Sequence, residues 1–491
     1  MCAIKFSRFS ALAAVLVCAS FAFSQQAVKP GSGNQEGSIA KFIANLAADG
    51  FNVGQGSALR LDPGQLYCEG NIPSAMFFNK AAPYVGIQLP PLNAPLPILQ
   101  LQPYEAVVLI GVTPPAAKYF SYQLYLLERV YPPDTRVPLF ASLGDTVNLR
   151  TIKTGSPQSF NRPVVFIFTP DQGTEARVRA ALQSAGYPVA IINTLAFPAP
   201  MLTLGVDPSR SDVLLILHRM AMFTDPDGAG KNYLDAFNSN DPPLRAFRVT
   251  PRTSGALHPF PTPPLRIRGT GRSEMDLTPT LARLRQAILD ANSGLVHTEY
   301  HTRPVAYDGY DYIQRAANAF GDTRDALYLG AGWLPDYDLN DEKQDTLTLR
   351  DDEFLIAYGP NHVASGKATY TNINAYASET ATGDMPRLSL GSVFSNSFGR
   401  SAYPYLGAGD PTADRMYVYK IARYCNGEPF CLPLQAPQPC TPGCEHRPCP
   451  PFIFDSTTKL GVAFRNYLEP GTNVGPAFTE ILYDQIIKFS H

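Results

Sequence analysis

The chain has 491 residues, of which 45% are hydrophobic and 17% charged, and a formal net charge of −2. That composition suits a folded globular protein and excludes a disordered one. The near-neutral balance, with no clustered Lys or Arg, argues against nucleic acid as a partner.

The first ten residues hold Lys5 and Arg8, and an apolar run from Ala11 to Phe23 follows. This run is too short to span a bilayer comfortably and reads as the core of a signal peptide. Ala22 and Ser24 supply the small residues that a signal peptidase needs, which places the cut between Ser24 and Gln25. The expected product is secreted or periplasmic, with no membrane span after cleavage. Residues 25–38, polar and Gly-rich, read as a flexible leader.

An N-terminal α+β domain is expected over 39–240. Ala106–Val112 is an apolar strand, and the period-two alternation from Tyr119 to Leu127 reads as its hairpin partner. Val164–Phe168 reads as a buried strand. It is followed by a helix carrying Val178, Ala181, Leu182 and Ala185 and by a second strand, Val189–Ile192, together the size of a βαβ unit. Residues 241–264, rich in Pro, Ser and Thr, read as the linker between two halves.

A C-terminal α+β domain then spans 265–491. Its helix opens at Thr278-Pro279, and a second helix is expected from Asp308 to Gly321. Strands are expected at Phe354–Tyr358, Ala368–Tyr376, Met416–Ile421 and Leu460–Phe464. The expected class is α+β, mainly antiparallel, in two disulfide-stapled halves. Two echoes link the halves: Val108–Pro114 with Lys118-Tyr119 resembles Leu355–Pro360 with Lys367–Tyr370, and Leu143–Thr146 resembles Phe320–Thr323. Their order is reversed, which argues for recurring turn chemistry over simple duplication.

Six cysteines lie beyond the leader: Cys68, Cys425, Cys431, Cys440, Cys444 and Cys449. Five fall in the Pro-rich segment 424–451, and an odd set cannot pair within itself. Full oxidation therefore requires one bridge from Cys68 to that segment. A zinc site at Cys440, Cys444, His446 and Cys449 has the right ligand types but the wrong spacing.

The best candidate for a divalent metal is His297-Thr-Glu299-Tyr-His301, whose three ligands share one face of a strand. Asp336, Asp338 and Asn340 alternate like the first half of a calcium loop, but the glycine and closing glutamate of that loop are missing. His218, after the run Val213–Leu217, reads either as a general base or as a core histidine. No Gly-x-Ser-x-Gly elbow, P-loop or complete dinucleotide motif occurs. The favoured reading is an exported binding or structural protein presenting Tyr-rich loops. The alternative is a secreted hydrolase, metal-assisted through His297, Glu299 and His301.

Overall fold

The computed structural model describes residues 32–491 apart from 70, 73–74, 76–77, 80–81, 91–95, 333–345, 380–387 and 435–453. The described chain is α+β and almost wholly antiparallel. Its first ten main strands are β1 (Phe51–Gln55), β2 (Ser57–Leu61), β3 (Tyr84–Gln88), β4 (Ala106–Val112), β5 (Ala117–Tyr131), β6 (Thr135–Ser142), β7 (Pro163–Thr169), β8 (Ile192–Ala196), β9 (Val213–Phe223) and β10 (Leu244–Pro251). Ten more follow: β11 (Val296–His301), β12 (Arg303–Ala306), β13 (Ala326–Gly332), β14 (Phe354–Pro360), β15 (Tyr370–Glu379), β16 (Leu388–Phe394), β17 (Met416–Ala422), β18 (Cys431–Pro433), β19 (Lys459–Tyr467) and β20 (Gln485–Ser490).

These strands form four sheets. Sheet I runs β1-β10-β4-β7-β8 and sheet II runs β2-β3-β9-β5-β6, with two-residue strands at Ile98–Leu99 and Val147–Asn148 added to sheet II. Sheet III runs β11-β20-β14-β17-β18 and sheet IV runs β12-β13-β19-β15-β16. Each strand of sheets I and II thus has the same neighbours as the strand ten places later in sheets III and IV. The parallel pairs also correspond, being β7 with β8 and β17 with β18.

The correspondence reaches single residues. Arg219 on β9 lies opposite Ser121 on β5 and Tyr84 on β3, and Arg465 on β19 lies opposite Asn372 on β15 and Tyr328 on β13. Three residues beyond each arginine the backbone turns left-handed, at Met222 (φ 54°) and Leu468 (φ 46°). A bulky side chain rarely adopts that conformation, and it recurs here at matched positions.

Helices cover the outer faces. Helix α1 (Ser32–Ala48) lays Ile39, Phe42 and Leu46 on Phe51, Val108 and Val165 of sheet I. Helix α2 (Gln172–Ser184) joins parallel β7 and β8, and its first turn is closed by the Asp171 carboxylate accepting from the Thr174 N–H. Helix α3 (Thr278–Ala291) packs Leu284 and Ile288 on Ile356, Val418 and Ile487 of sheet III. Phe120, Tyr122, Phe166 and Leu214 belong to the core between sheets I and II, and Leu329, Ile373, Leu355 and Val462 to the core between III and IV. A third cluster, with Tyr119, Ala221, Tyr370 and Tyr467, joins sheet II to sheet IV.

Several expectations need correction. The leader is helical from Ser32, because Ile39, Phe42 and Leu46 recur at helical spacing and bury against sheet I. The segment taken for a linker contains β10, a strand paired on both sides, whose Leu244, Ala246, Phe247 and Val249 are buried. Within that segment the stretch without helix or strand begins at Arg252 and continues to Glu274. Strands β4 and β5 are not a hairpin: they enter different sheets, because each has buried residues on both faces and needs its own partners. The helix expected from Asp308 to Gly321 is helix α4 (Gly309–Gln314), cut short where Ala316 and Phe320 turn left-handed.

Candidate functional site

The two matched arginines lie on sheets II and IV, which face each other. Arg219 is 5% exposed and Arg465 1%, a rare degree of burial for a guanidinium. Each sits beside a matched pair of aromatic rings. The Arg219 guanidinium carbon lies 5.7 Å from the Tyr84 ring and 5.1 Å from Tyr125. That of Arg465 lies 5.8 Å from both Tyr328 and Tyr376, within cation–π range. Burial pushes the Tyr84, Tyr125 and Tyr328 hydroxyls upward. They are neutral near pH 7 and offer rings and dipoles, not charge.

Hydrogen bonds tie the facing sheets reciprocally. The Tyr125 hydroxyl donates to the Asp322 carbonyl at 2.9 Å, and its counterpart Tyr376 donates to the Phe78 carbonyl at 3.1 Å. Asp322 precedes Tyr328 by six residues, and Phe78 precedes Tyr84 by six. Tyr119 donates to Asp325 at 2.9 Å, while Tyr370 accepts from the Asn79 amide at 3.1 Å. Arg465 donates to the Tyr376 hydroxyl at 2.6 Å. Arg219 donates from Nη2 to the Gly321 carbonyl at 2.6 Å, while its buried Nε meets no acceptor among the described residues. Gly321 is required there: its φ is 72°, and a Cβ would stand 2.8 Å from the Phe140 ring and 3.2 Å from Arg219 Nη2.

The two Gly-Asp-Thr segments also meet at this junction, although they occupy unmatched places in the strand order. Asp145 accepts from Arg324 at 2.8 Å, and Asp322 accepts from the Ser142 N–H at 2.7 Å and hydroxyl at 2.6 Å. Burial raises the Asp322 carboxyl to about 6, against the pull of those Ser142 bonds.

A second polar region lies in the later residues, beneath a shallow cleft of about 370 Å³ that includes Arg272, Ser365, Lys367 and Arg415. Its floor is a buried chain of charges. His362 is 2% exposed, with Nδ1 2.9 Å from Glu274 and Nε2 3.4 Å from Asp484. Desolvation opposes its charge, but the two carboxylates prevail and raise it to about 10. His362 is therefore a cation at neutral pH and cannot accept a proton from Ser365, whose hydroxyl instead donates to Glu274. The Lys367 ammonium spends its three hydrogens on the Arg272 carbonyl, Glu469 and Glu480, and Arg415 pairs with Asp276 at 2.7 Å. The cleft's chemistry-bearing groups are thus largely committed to one another.

The sequence candidates lie elsewhere. His297, Glu299 and His301 do share β11, an edge strand, but both Glu299 oxygens are taken by the Arg285 guanidinium. Among the described residues, no group of three or more His, Cys, Asp or Glu is arranged to hold a metal. Asp336, Asp338 and Asn340 lie outside the described residues. Cys425 and Cys431 form a disulfide. Cys440, Cys444 and Cys449 lie outside the described residues, as does the side chain of Cys68. His218 is the core histidine of the two readings: it is fully buried, accompanied by the Ser121 carbonyl at 3.0 Å, stacked 4.1 Å from Tyr122, and lowered by desolvation to about 4.

The expected Tyr-rich loops are not where the large tyrosines reside. Tyr119, Tyr122, Tyr125, Tyr370, Tyr376 and Tyr417 are buried in strands. Sequence reasoning missed Arg219 and Arg465, although one signal was visible: both sit inside long apolar runs where a charged residue needs a reason.

No family model matches the chain, and no curated protein matches it. Two solved structures align over most of it. The VPA0106 protein from Vibrio parahaemolyticus gives a TM-score of 0.36 at 11% identity, covering 94% of this chain and 99% of that one. An uncharacterized protein from Burkholderia cenocepacia gives 0.34 at 9% identity, covering 93% and 88%. Among the described residues, no helix is long and apolar enough to cross a membrane.

Proposed function

We propose that this chain is an exported, disulfide-bonded binding protein built from two copies of one unit, which takes its ligand between the facing sheets II and IV. The first unit runs from α1 to β10 and includes β7-α2-β8 as a βαβ element. The second runs from α3 to β20, and the Pro-rich strap 252–274 connects them. Identical strand order, arginine register and left-handed positions support the duplication. The observation that carries the binding reading is Arg219, a buried cation with one carbonyl acceptor and an idle Nε, set in a box of tyrosines that Arg465 completes.

Export is supported by the apolar leader and by the Cys425–Cys431 bridge, since disulfides persist in oxidising compartments. The alternative, a metal-assisted hydrolase at His297, Glu299 and His301, would require Glu299 to leave Arg285.

The test is to isolate the protein from its native source, sequence its N-terminus, denature it and identify any released small molecule by mass spectrometry. The expected result is a chain starting at Gln25 that releases one compound stoichiometrically, with none released from Arg219→Met. A chain that releases nothing and instead turns over ester or glycoside substrates, with activity lost in His297→Ala, would replace this reading with the hydrolase.

A further inference from the structure

We propose that Asn426 is a modification site, where the Gly427 backbone nitrogen closes on the side-chain amide and converts the asparagine to isoaspartate and aspartate. This modification is independent of the binding reading above. Asn426-Gly427 is the one Asn-Gly step in the chain. Glycine is the following residue that crowds such a reaction least, because no Cβ stands beside the attacking nitrogen.

The fold leaves the step open. Asn426 and Gly427 are both exposed and lie in the ring closed by the Cys425–Cys431 bridge. Their φ values are 50° and 81°, a left-handed backbone that asparagine and glycine tolerate. The Asn426 amide makes no hydrogen bond among the described residues. Apart from its chain neighbours, no heavy atom stands within 4 Å of where a Gly427 Cβ would be. The turn is closed by the Glu428 N–H donating to the Cys425 carbonyl at 2.8 Å. An exposed bond of this kind opens by local fluctuation and frees the Gly427 nitrogen to move. Asn193 and Asn372 show the contrast: both are buried, their amides donate to the Val165 carbonyl and the Tyr370 hydroxyl, and β-branched Thr194 and Ile373 follow them.

The atoms balance with water as the sole co-reactant. The Gly427 nitrogen gives up its proton and bonds to Asn426 Cγ; the bond from Cγ to Nδ2 breaks, and ammonia leaves with that proton. Water then opens the succinimide. Attack at Cγ yields aspartate, whereas attack at the main-chain carbonyl leaves the chain running through Cγ, as isoaspartate. Either product adds a negative charge at the edge of sheet III, where β17 meets β18 and Lys420 pairs with Glu428 at 2.6 Å.

The experiment incubates the folded mature protein at neutral pH in water enriched in heavy oxygen, then digests samples over time and maps the peptides by mass spectrometry. The expected result is a steady conversion at Asn426, several times faster than any at Asn238, which is also exposed but is followed by Ser239. Each converted chain should carry heavy oxygen, with isoaspartate in excess of aspartate, and Asn426→Gln should show no conversion. The inference is overturned if folded protein keeps Asn426 intact over a period in which the excised peptide converts, or if Asn238 converts first. Aspartate formed without isoaspartate would mean direct hydrolysis of the amide and would also overturn it.

Discussion

His218 and His362 are both almost completely buried, yet they are driven to opposite charge states. In the core between sheets I and II, His218 has a carbonyl, aromatic rings and no carboxylate beside it among the described residues, and desolvation lowers it to about 4. Under the cleft, His362 lies between Glu274 and Asp484, and their charges raise it to about 10. Burial alone therefore does not set protonation; the sign of the nearest partner does. His218 lies within strand β9, whereas His362 lies in the loop 361–369 between β14 and β15, which carries a charge network.

The sharpest way to break that contrast is to remove one member of the network. Glu274→Ala leaves His362 with one carboxylate and takes the acceptor from the Ser365 hydroxyl and the Leu482 N–H. We expect a loss of about 3–5 kcal/mol in denaturant unfolding at pH 7. A loss within about 1 kcal/mol of zero would show that the network is not holding the floor.

Next in size are the pH effects. His218 binds its proton more weakly in the fold than when unfolded, so its contribution is full above about pH 6.5 and fades as pH falls toward 4, by up to about 3 kcal/mol. For His362 the folded state binds the proton more tightly, so the contribution is full below about pH 6.5 and is lost as pH rises through 10. Asp322 acts against His218, since a carboxyl raised to about 6 favours the fold at low pH and loses that advantage between about 4 and 6. Each histidine is therefore read as a difference between wild type and variant. His218→Phe should remove only the acid-side dependence and His362→Gln only the alkaline-side one. Identical profiles for the two variants would refute the assignment.

Smaller effects belong to the surface. The Cys425–Cys431 bridge closes a short loop, with a sequence separation of 6, so reducing it should cost about 2 kcal/mol at most. A circular dichroism melt with and without reductant measures this. Glu299→Gln breaks a half-exposed pair with Arg285, and the loss should stay below about 1 kcal/mol. A larger drop would mean that β11 depends on that pair.

Much of the fold was legible locally. Strands β4, β7, β14, β17 and β19 and helices α2 and α3 lie where their apolar spacing predicts them, because each buries a periodic face. Pairing was not legible. Buried strands such as β4 read the same whichever sheet accepts them, and proline density near 250 concealed β10. The echo between Val108–Tyr119 and Leu355–Tyr370 falls on matched strands β4-β5 and β14-β15. The Gly-Asp-Thr echo falls on segments that are unmatched in the strand order, and its reversed order argued against reading the matched strand order from the sequence. The candidate site depends on contacts between residues about 100 to 300 positions apart, which no local pattern encodes. Arg219 and Arg465 stood in plain view within apolar runs, but the tyrosines beside them are distributed over four other strands.

The claim that these two arginines form one site is tested most directly by a double-mutant cycle, with unfolding free energies measured for wild type, Arg219→Met, Arg465→Met and the double variant. A shared site predicts a coupling energy of about 1 kcal/mol or more, since removing either cation changes what the other costs. Additivity within about 0.5 kcal/mol would mean two independent arginines and would contradict the account.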